Sequence, residues 1–235
     1  MQASFHGRHV VVSGASGALG SAVVGALLRA GATCHLPARE TDSFPVLAPE
    51  LAERRKLARG VAVLDPASLE SFYASLPPLW ASVHCIGGFD MSPLAGTGAA
   101  ELERMFAPNF TAPYLCTREA VTSMRRAGVG GRVVNVVARV ALEPRGGAGM
   151  SAYAASKAAL AAATVALGEE LAPEGIFVNA IAPSLMDTPA NRKSMPDADF
   201  TCWPSVDDVA AAIVWLASPE NTLVRGSLIP VYGRS

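Results

Sequence analysis

The sequence predicts an α/β fold: a doubly wound parallel sheet of about seven strands with helices on both faces. Three observations predict it. Short β-branched runs alternate with helix-length segments along the 235 residues, and repeated βα units build parallel sheets through right-handed crossovers. Hydrophobic residues make up 51% of the chain and charged ones only 17%, as a sheet covered on both faces requires. A glycine-rich stretch from Ser13 to Gly20 follows the first strand-like run and opens the first helix-like one. The length suits one domain, residues 1–235.

Residues 8–13 read as a strand, 18–30 as a helix and 32–37 as the second strand. Residues 49–58 read as a helix, 61–64 as a strand, 66–76 as a helix and 82–86 as a strand. Residues 99–127 form a longer helical stretch that Pro108 and Pro113 should kink or break. A strand at 132–137 leads into a Gly- and Pro-bearing loop, and an Ala-rich helix covers 151–171. A strand at 177–181, a helix at 206–216 and a strand at 227–231 complete the series. The polar, Pro-bearing stretch 187–203 is the candidate lid.

Composition narrows the partners. A formal net charge of -1 gives no electrostatic footprint for nucleic acid or a membrane surface. No apolar run approaches the ~18 residues of a spanning helix. The N-terminus, with His6, Arg8 and His9, runs straight into a strand, which argues against a signal peptide. Cys34, Cys85, Cys116 and Cys202 are scattered without metal-ligand spacing. They read as reduced, mostly buried thiols of a cytoplasmic protein that holds no metal.

The turn Ser13-Gly-Ala-Ser-Gly-Ala-Leu-Gly20 is the first chemical signal. Small residues let backbone N–H groups approach a pyrophosphate, and a helix N-terminus favours its charge. A plain glycine-rich βα turn is the alternative. The second strand ends at Ala38-Arg39. An acid at that tip would bond the ribose 2′-OH of NAD, whereas an arginine pairs a 2′-phosphate. Arg39 therefore favours NADP(H) over NAD(H), and the adjacent Glu40 opposes it.

The second signal is Tyr153-Ala-Ala-Ser-Lys157. The spacing stacks a phenol and an ammonium on one helical face. A fixed cation favours the phenolate, which suits a general acid or base. An ordinary surface pair is the alternative. His84, at a strand end, reads as a structural imidazole. Ser151 reads as the N-cap of the helix that carries Tyr153. Phe89, Arg145, Met150, Met195, Phe200 and Trp203 lie in loops that should border a cleft.

In this order, these motifs resemble the short-chain dehydrogenase/reductase family over almost the whole chain. The family's T-G-x-x-x-G-x-G maps to Ser13, Gly14, Ala18 and Gly20, with Gly17 offering an alternative close approach. Asp65 matches the residue that caps the adenine amino group. His84-Cys85-Ile86-Gly87 stands where the family has N-N-A-G, so only Gly87 agrees. Asn109 matches a helix-kinking Asn that orders a proton-relay water. Thr188, after Pro183 and Met186, matches the hydroxyl that holds the nicotinamide carboxamide. The resemblance implies cofactor contacts at Gly14, Ser16, Gly17, Leu19, Gly20, Arg39, Asp65, Gly87, Tyr153, Lys157, Pro183, Met186 and Thr188. It implies catalytic roles for Asn109, Tyr153 and Lys157, with Lys157 lowering the phenol's pKa.

Ala138 takes the place of the family's catalytic serine. That departure is similar to the dihydropteridine reductase branch, whose substrates are quinonoid rings. The expectation is a single NAD(P)-binding Rossmann domain forming a homodimer or homotetramer. It would pass hydride from NADP(H) to a carbonyl or quinonoid small molecule. The alternative is a dinucleotide-binding sensor or regulatory protein with little or no turnover.

Overall fold

The first strand, β1 (His9–Ser13), passes through the glycine-rich turn into α1 (Ala18–Arg29) and returns as β2 (Thr33–Ala38). A short helix, α2 (Pro49–Ala52), precedes β3 (Arg55–Arg59), α3 (Pro66–Ala74) and β4 (Leu79–His84). Next come α4 (Ala99–Phe106), a π-helical segment (Ala107–Thr111) and α5 (Ala112–Ala127). β5 (Gly131–Val136) is followed by α6 (Arg139–Leu142), α7 (Ser151–Glu170) and β6 (Ile176–Pro183). The chain ends with α8 (Pro189–Ser194), α9 (Val206–Ala217) and β7 (Leu228–Val231). These elements come from a computed structural model that describes residues 4–235.

All seven strands are parallel, in the order β3-β2-β1-β4-β5-β6-β7. Chain direction across the sheet reverses between β1 and β4, which opens a crevice beyond their carboxyl ends. Alternation along β1 shows the two layers. Val10 and Val12 enter the core under α1 and α9 with Val23, Leu27, Val209 and Ile213. Val11 enters the opposite core under α3 and α5 with Leu69, Phe72, Val121 and Met124. The inner strands therefore bury both faces, and this explains the high apolar content.

Two local readings need correction. The third strand is Arg55–Arg59, not 61–64, and the helix read at 49–58 stops at Ala52. Arg55 to Arg59 pair with Cys34 to Ala38 at the edge of the sheet. An edge strand facing water tolerates Arg and Lys, so it lacks the apolar signature of the inner strands. Val61 and Val63 instead pack from the following turn onto the α3 side. The expected break near Pro108 is present as the π-helical segment, a form that recurs at functional sites.

Candidate active site

The glycine-rich turn is shaped by its backbone. Gly14 sits at φ +72°, and a Cβ there would lie 2.5 Å from the Ile86 nitrogen. The turns after β1 and β4 therefore touch across the crevice. A Cβ on Gly20 would run into the Gly14 carbonyl oxygen and the Ala15 backbone. α1 starts at N-cap Gly17 without a side-chain cap, so its first N–H groups are open to an anion. Leu19 is buried in the α1/α9 core, which leaves only its backbone facing the turn. Ser16 is exposed. These features fit a dinucleotide pyrophosphate.

Arg39 lies just past β2, its side chain 79% exposed and paired with Asp42. Arg39 Nε and Nη2 donate to Asp42 Oδ1 at 3.1 and 2.9 Å, and the Arg39 backbone N–H donates to Oδ2 at 3.0 Å. Sequence reading missed Asp42 because it looked to Glu40. The Glu40 carboxylate turns toward Gly60 instead. Asp65 is exposed and caps α3, accepting from the Ser68 N–H at 3.2 Å.

At the end of β4, three predicted residues converge. A Cβ on Gly87 would lie 2.9 Å from Asn109 Oδ1 and 3.2 Å from Lys157 Nζ. Asn109 is fully buried in the π-helical segment. Its amide donates to the Gly88 carbonyl at 2.9 Å and its Oδ1 accepts the Gly88 N–H at 3.0 Å. The Lys157 ammonium donates to the Val136 carbonyl at 2.8 Å. Burial pushes its pKa down to about 8.

Tyr153 is half-buried on the same helix, with Phe89 edge-on at 5.0 Å between ring centroids. Burial pushes its pKa up to about 12. The expectation that Lys157 lowers it is therefore corrected: the ammonium turns to the Val136 carbonyl, and desolvation dominates the phenol. Ser151 is corrected as well. It is the first residue of α7 and exposed, the cap position falls on Met150, and no side chain caps the helix. The chain enters α7 directly from a tight turn in which Met150 N–H donates to Gly147.

A buried chain of hydrogen bonds ties α7 to the sheet. Thr164 Oγ1 donates to the Leu160 carbonyl at 2.8 Å and so accepts from Asn135 Nδ2 at 3.0 Å. That fixes the Asn135 amide, whose Oδ1 accepts from His84 Nδ1 at 2.8 Å. His84 Nε2 then accepts from Ser82 Oγ at 2.9 Å, and Ser82 accepts from the Tyr73 hydroxyl at 3.0 Å. These tautomer and amide assignments follow from the donor count. Burial pushes the His84 pKa down to about 4, against the opposing bond to Asn135. His84 is structural, as its sequence position suggested.

Pro183 ends β6, and Met186 packs against the α1/α9 core. Thr188 is buried and caps α8, accepting from the Asn191 N–H at 3.2 Å. Asp187 grips Arg192 with bonds of 2.6 and 2.7 Å. Phe200 and Trp203 pack on each other at 5.0 Å. The segment 187–203 is thus internally tied. Ala138 precedes α6 and offers no hydroxyl. Among the described residues, no helix is long and apolar enough to cross a membrane.

A family profile described as short chain dehydrogenase matches residues 8–199. An NAD-dependent oxidoreductase of Mycobacterium tuberculosis (strain ATCC 25618 / H37Rv) is 30% identical over 270 residues, covering 97% of this chain and 95% of that protein. A cyclic-di-GMP-binding biofilm dispersal mediator protein of Escherichia coli (strain K12) is 33% identical over 142 residues. That match covers 57% of this chain and 58% of that protein. Among solved structures, one described as an NAD(P)-dependent gluconate 5-dehydrogenase of Beutenbergia cavernae, with NADP bound at low occupancy, is 28% identical. It superposes with a TM-score of 0.86 over 98% of this chain and 97% of that one.

Proposed function

The chain belongs to the short-chain dehydrogenase family, and from that premise we propose that it is a cytoplasmic oxidoreductase favouring NADP(H), with Tyr153 as its acid. Its substrate is a carbonyl or quinonoid small molecule, and one dinucleotide-binding domain with a lid at 187–203 carries the whole site. The observation that supports this most is the meeting of Gly87, Asn109 and Lys157 beyond β4, one helical turn from Tyr153.

Gly14, Ser16, Gly17, Gly20 and the Leu19 backbone would hold the pyrophosphate. Arg39 and Asp65 would hold the adenosine end. Gly87, Pro183, Met186 and Thr188 would hold the nicotinamide end, with Lys157 on its ribose. Bound there, the reduced nicotinamide supplies the hydride. Tyr153 holds the proton. A phenol pushed up to about 12 stays protonated at neutral pH and donates to the anion that develops on the substrate. Lys157 uses one N–H on Val136, and an ammonium has two more with which to orient a ribose. The clamp on Gly88 fixes Asn109 and the π-helical backbone that would position a relay water. Without a hydroxyl at Ala138, an electron-poor quinonoid ring suits the site better than a simple ketone. Exposed Ala155, Ala162 and Ala166 share a face of α7, a surface for pairing as a homodimer or homotetramer.

NADPH and NADH oxidation, assayed with a quinonoid pterin, quinones and ketones, tests the reading. Acceptor-dependent oxidation, strongest with quinonoid acceptors, is expected. Binding of dinucleotide without oxidation by any acceptor favours the second reading, a nucleotide-binding regulator. The similarity to the cyclic-di-GMP-binding mediator is the observation on its side.

A further inference from the structure

Asp42 stands where the adenosine end of a dinucleotide would lie, and nothing in the glycine turn or the Tyr-Lys pair requires it. The tip of β2 beside the glycine-rich turn is where such folds read the ribose 2′ position. Asp42 is four residues beyond that tip, yet its carboxylate folds back onto it. Three bonds from Arg39 converge on the carboxylate. The Asp42 side chain is only 12% exposed. Arg59, from β3, fixes the loop by donating to the carbonyls of Glu40 and Asp42, both at 3.0 Å. Partial burial resists ionisation of Asp42. The Arg39 bonds, with a lesser contribution from the Ser16 hydroxyl, outweigh it and hold the carboxyl below its ordinary range. Asp42 is thus a fixed anion tied to the β2 tip by Arg39.

This arrangement divides the donors of Arg39. Nε and Nη2 are on Asp42, and Nη1 has no partner among the described residues. A 2′-phosphate must share the guanidinium with a carboxylate that repels it. An unmodified ribose can instead donate its 2′-hydroxyl to that carboxylate. We propose that Asp42 is the residue that restrains this chain's preference for NADP(H), by neutralising Arg39 from inside the ribose subsite and offering NAD(H) an acceptor of its own. The proposal rests on the dinucleotide-binding reading above.

The test is the dissociation constant of NADPH and of NADH, measured by calorimetry on the purified protein and on Asp42→Asn and Asp42→Glu, each checked for folding by thermal melt. For the unaltered protein the two constants should lie within about tenfold of each other. Asp42→Asn keeps the shape and removes the charge. It should tighten NADPH relative to NADH by about tenfold or more, a change of ~1.4 kcal/mol or more. Asp42→Glu keeps the charge and should leave the ratio near that of the unaltered protein. An unchanged ratio in Asp42→Asn overturns the role of Asp42 while leaving the dinucleotide reading intact. An equal shift in Asp42→Glu overturns it too, because loop shape and not charge would then set the preference. Failure of the unaltered protein to bind either dinucleotide overturns both readings.

Discussion

A proton added at His84 Nε2 meets the hydroxyl hydrogen that Ser82 already directs there. The imidazole is fully buried and neutral, and burial lowers its pKa from 6.5 to about 4. In the unfolded chain the same ring titrates near its ordinary value. The unfolded state therefore binds more protons between pH 6.5 and about 4. Stability from this ring is complete above pH 6.5 and is lost as pH falls toward 4. The full loss is ~3 kcal/mol, of which about 2 kcal/mol is gone by pH 5. That is a large share of the ~5–15 kcal/mol that holds a folded domain. At this chain length it lowers the melting temperature by roughly 4–8 °C. Carboxylates and His35, whose pKa is also lowered to about 4, add to the slope, so the assay compares two proteins. His84→Asn keeps a neutral hydrogen-bonding side chain that does not titrate. Between pH 7 and 5 it should lose about 2 kcal/mol less than the parent in urea unfolding. Parallel pH profiles for the two would refute both the buried neutral imidazole and the directed chain built on it.

Two further predictions concern the crevice. Gly20→Ala drives a methyl group into the Gly14 carbonyl and should destabilise the fold by ~1–3 kcal/mol. Dinucleotide affinity should fall in the same variant, read by urea unfolding and calorimetry. Lys157 is charged below its lowered pKa of about 8. If its ammonium orients the ribose, kcat/KM should fall as pH rises through that value, and a flat profile from pH 7 to 9 counts against the role.

Long-range patterning was readable from sequence because it is repetitive. Inner strands such as β5 and β6 are buried on both faces and largely apolar, and the glycine turn marks where the first strand hands over to a helix. Edge strand β3 was not readable, because Arg55, Lys56 and Arg59 face solvent and resemble a helix surface. The convergence of Asn109, Lys157 and Gly87 was legible only as separate motifs in order. What Lys157 actually touches was not legible. Its partner is a main-chain carbonyl 21 residues away, and backbone acceptors leave no mark in sequence. Asp42 was hidden for a related reason: a loop pinned by Arg59 decides which of two nearby acids faces Arg39.

Tyr153→Phe tests the central claim most directly. It removes one oxygen from a ring already packed against Phe89, so folding and dinucleotide binding should be preserved. Single-turnover reduction of a quinonoid acceptor should slow by ~10²–10⁴-fold. Reduction at the parent rate, with the cofactor bound equally well, would contradict the assignment of the phenol as the proton donor.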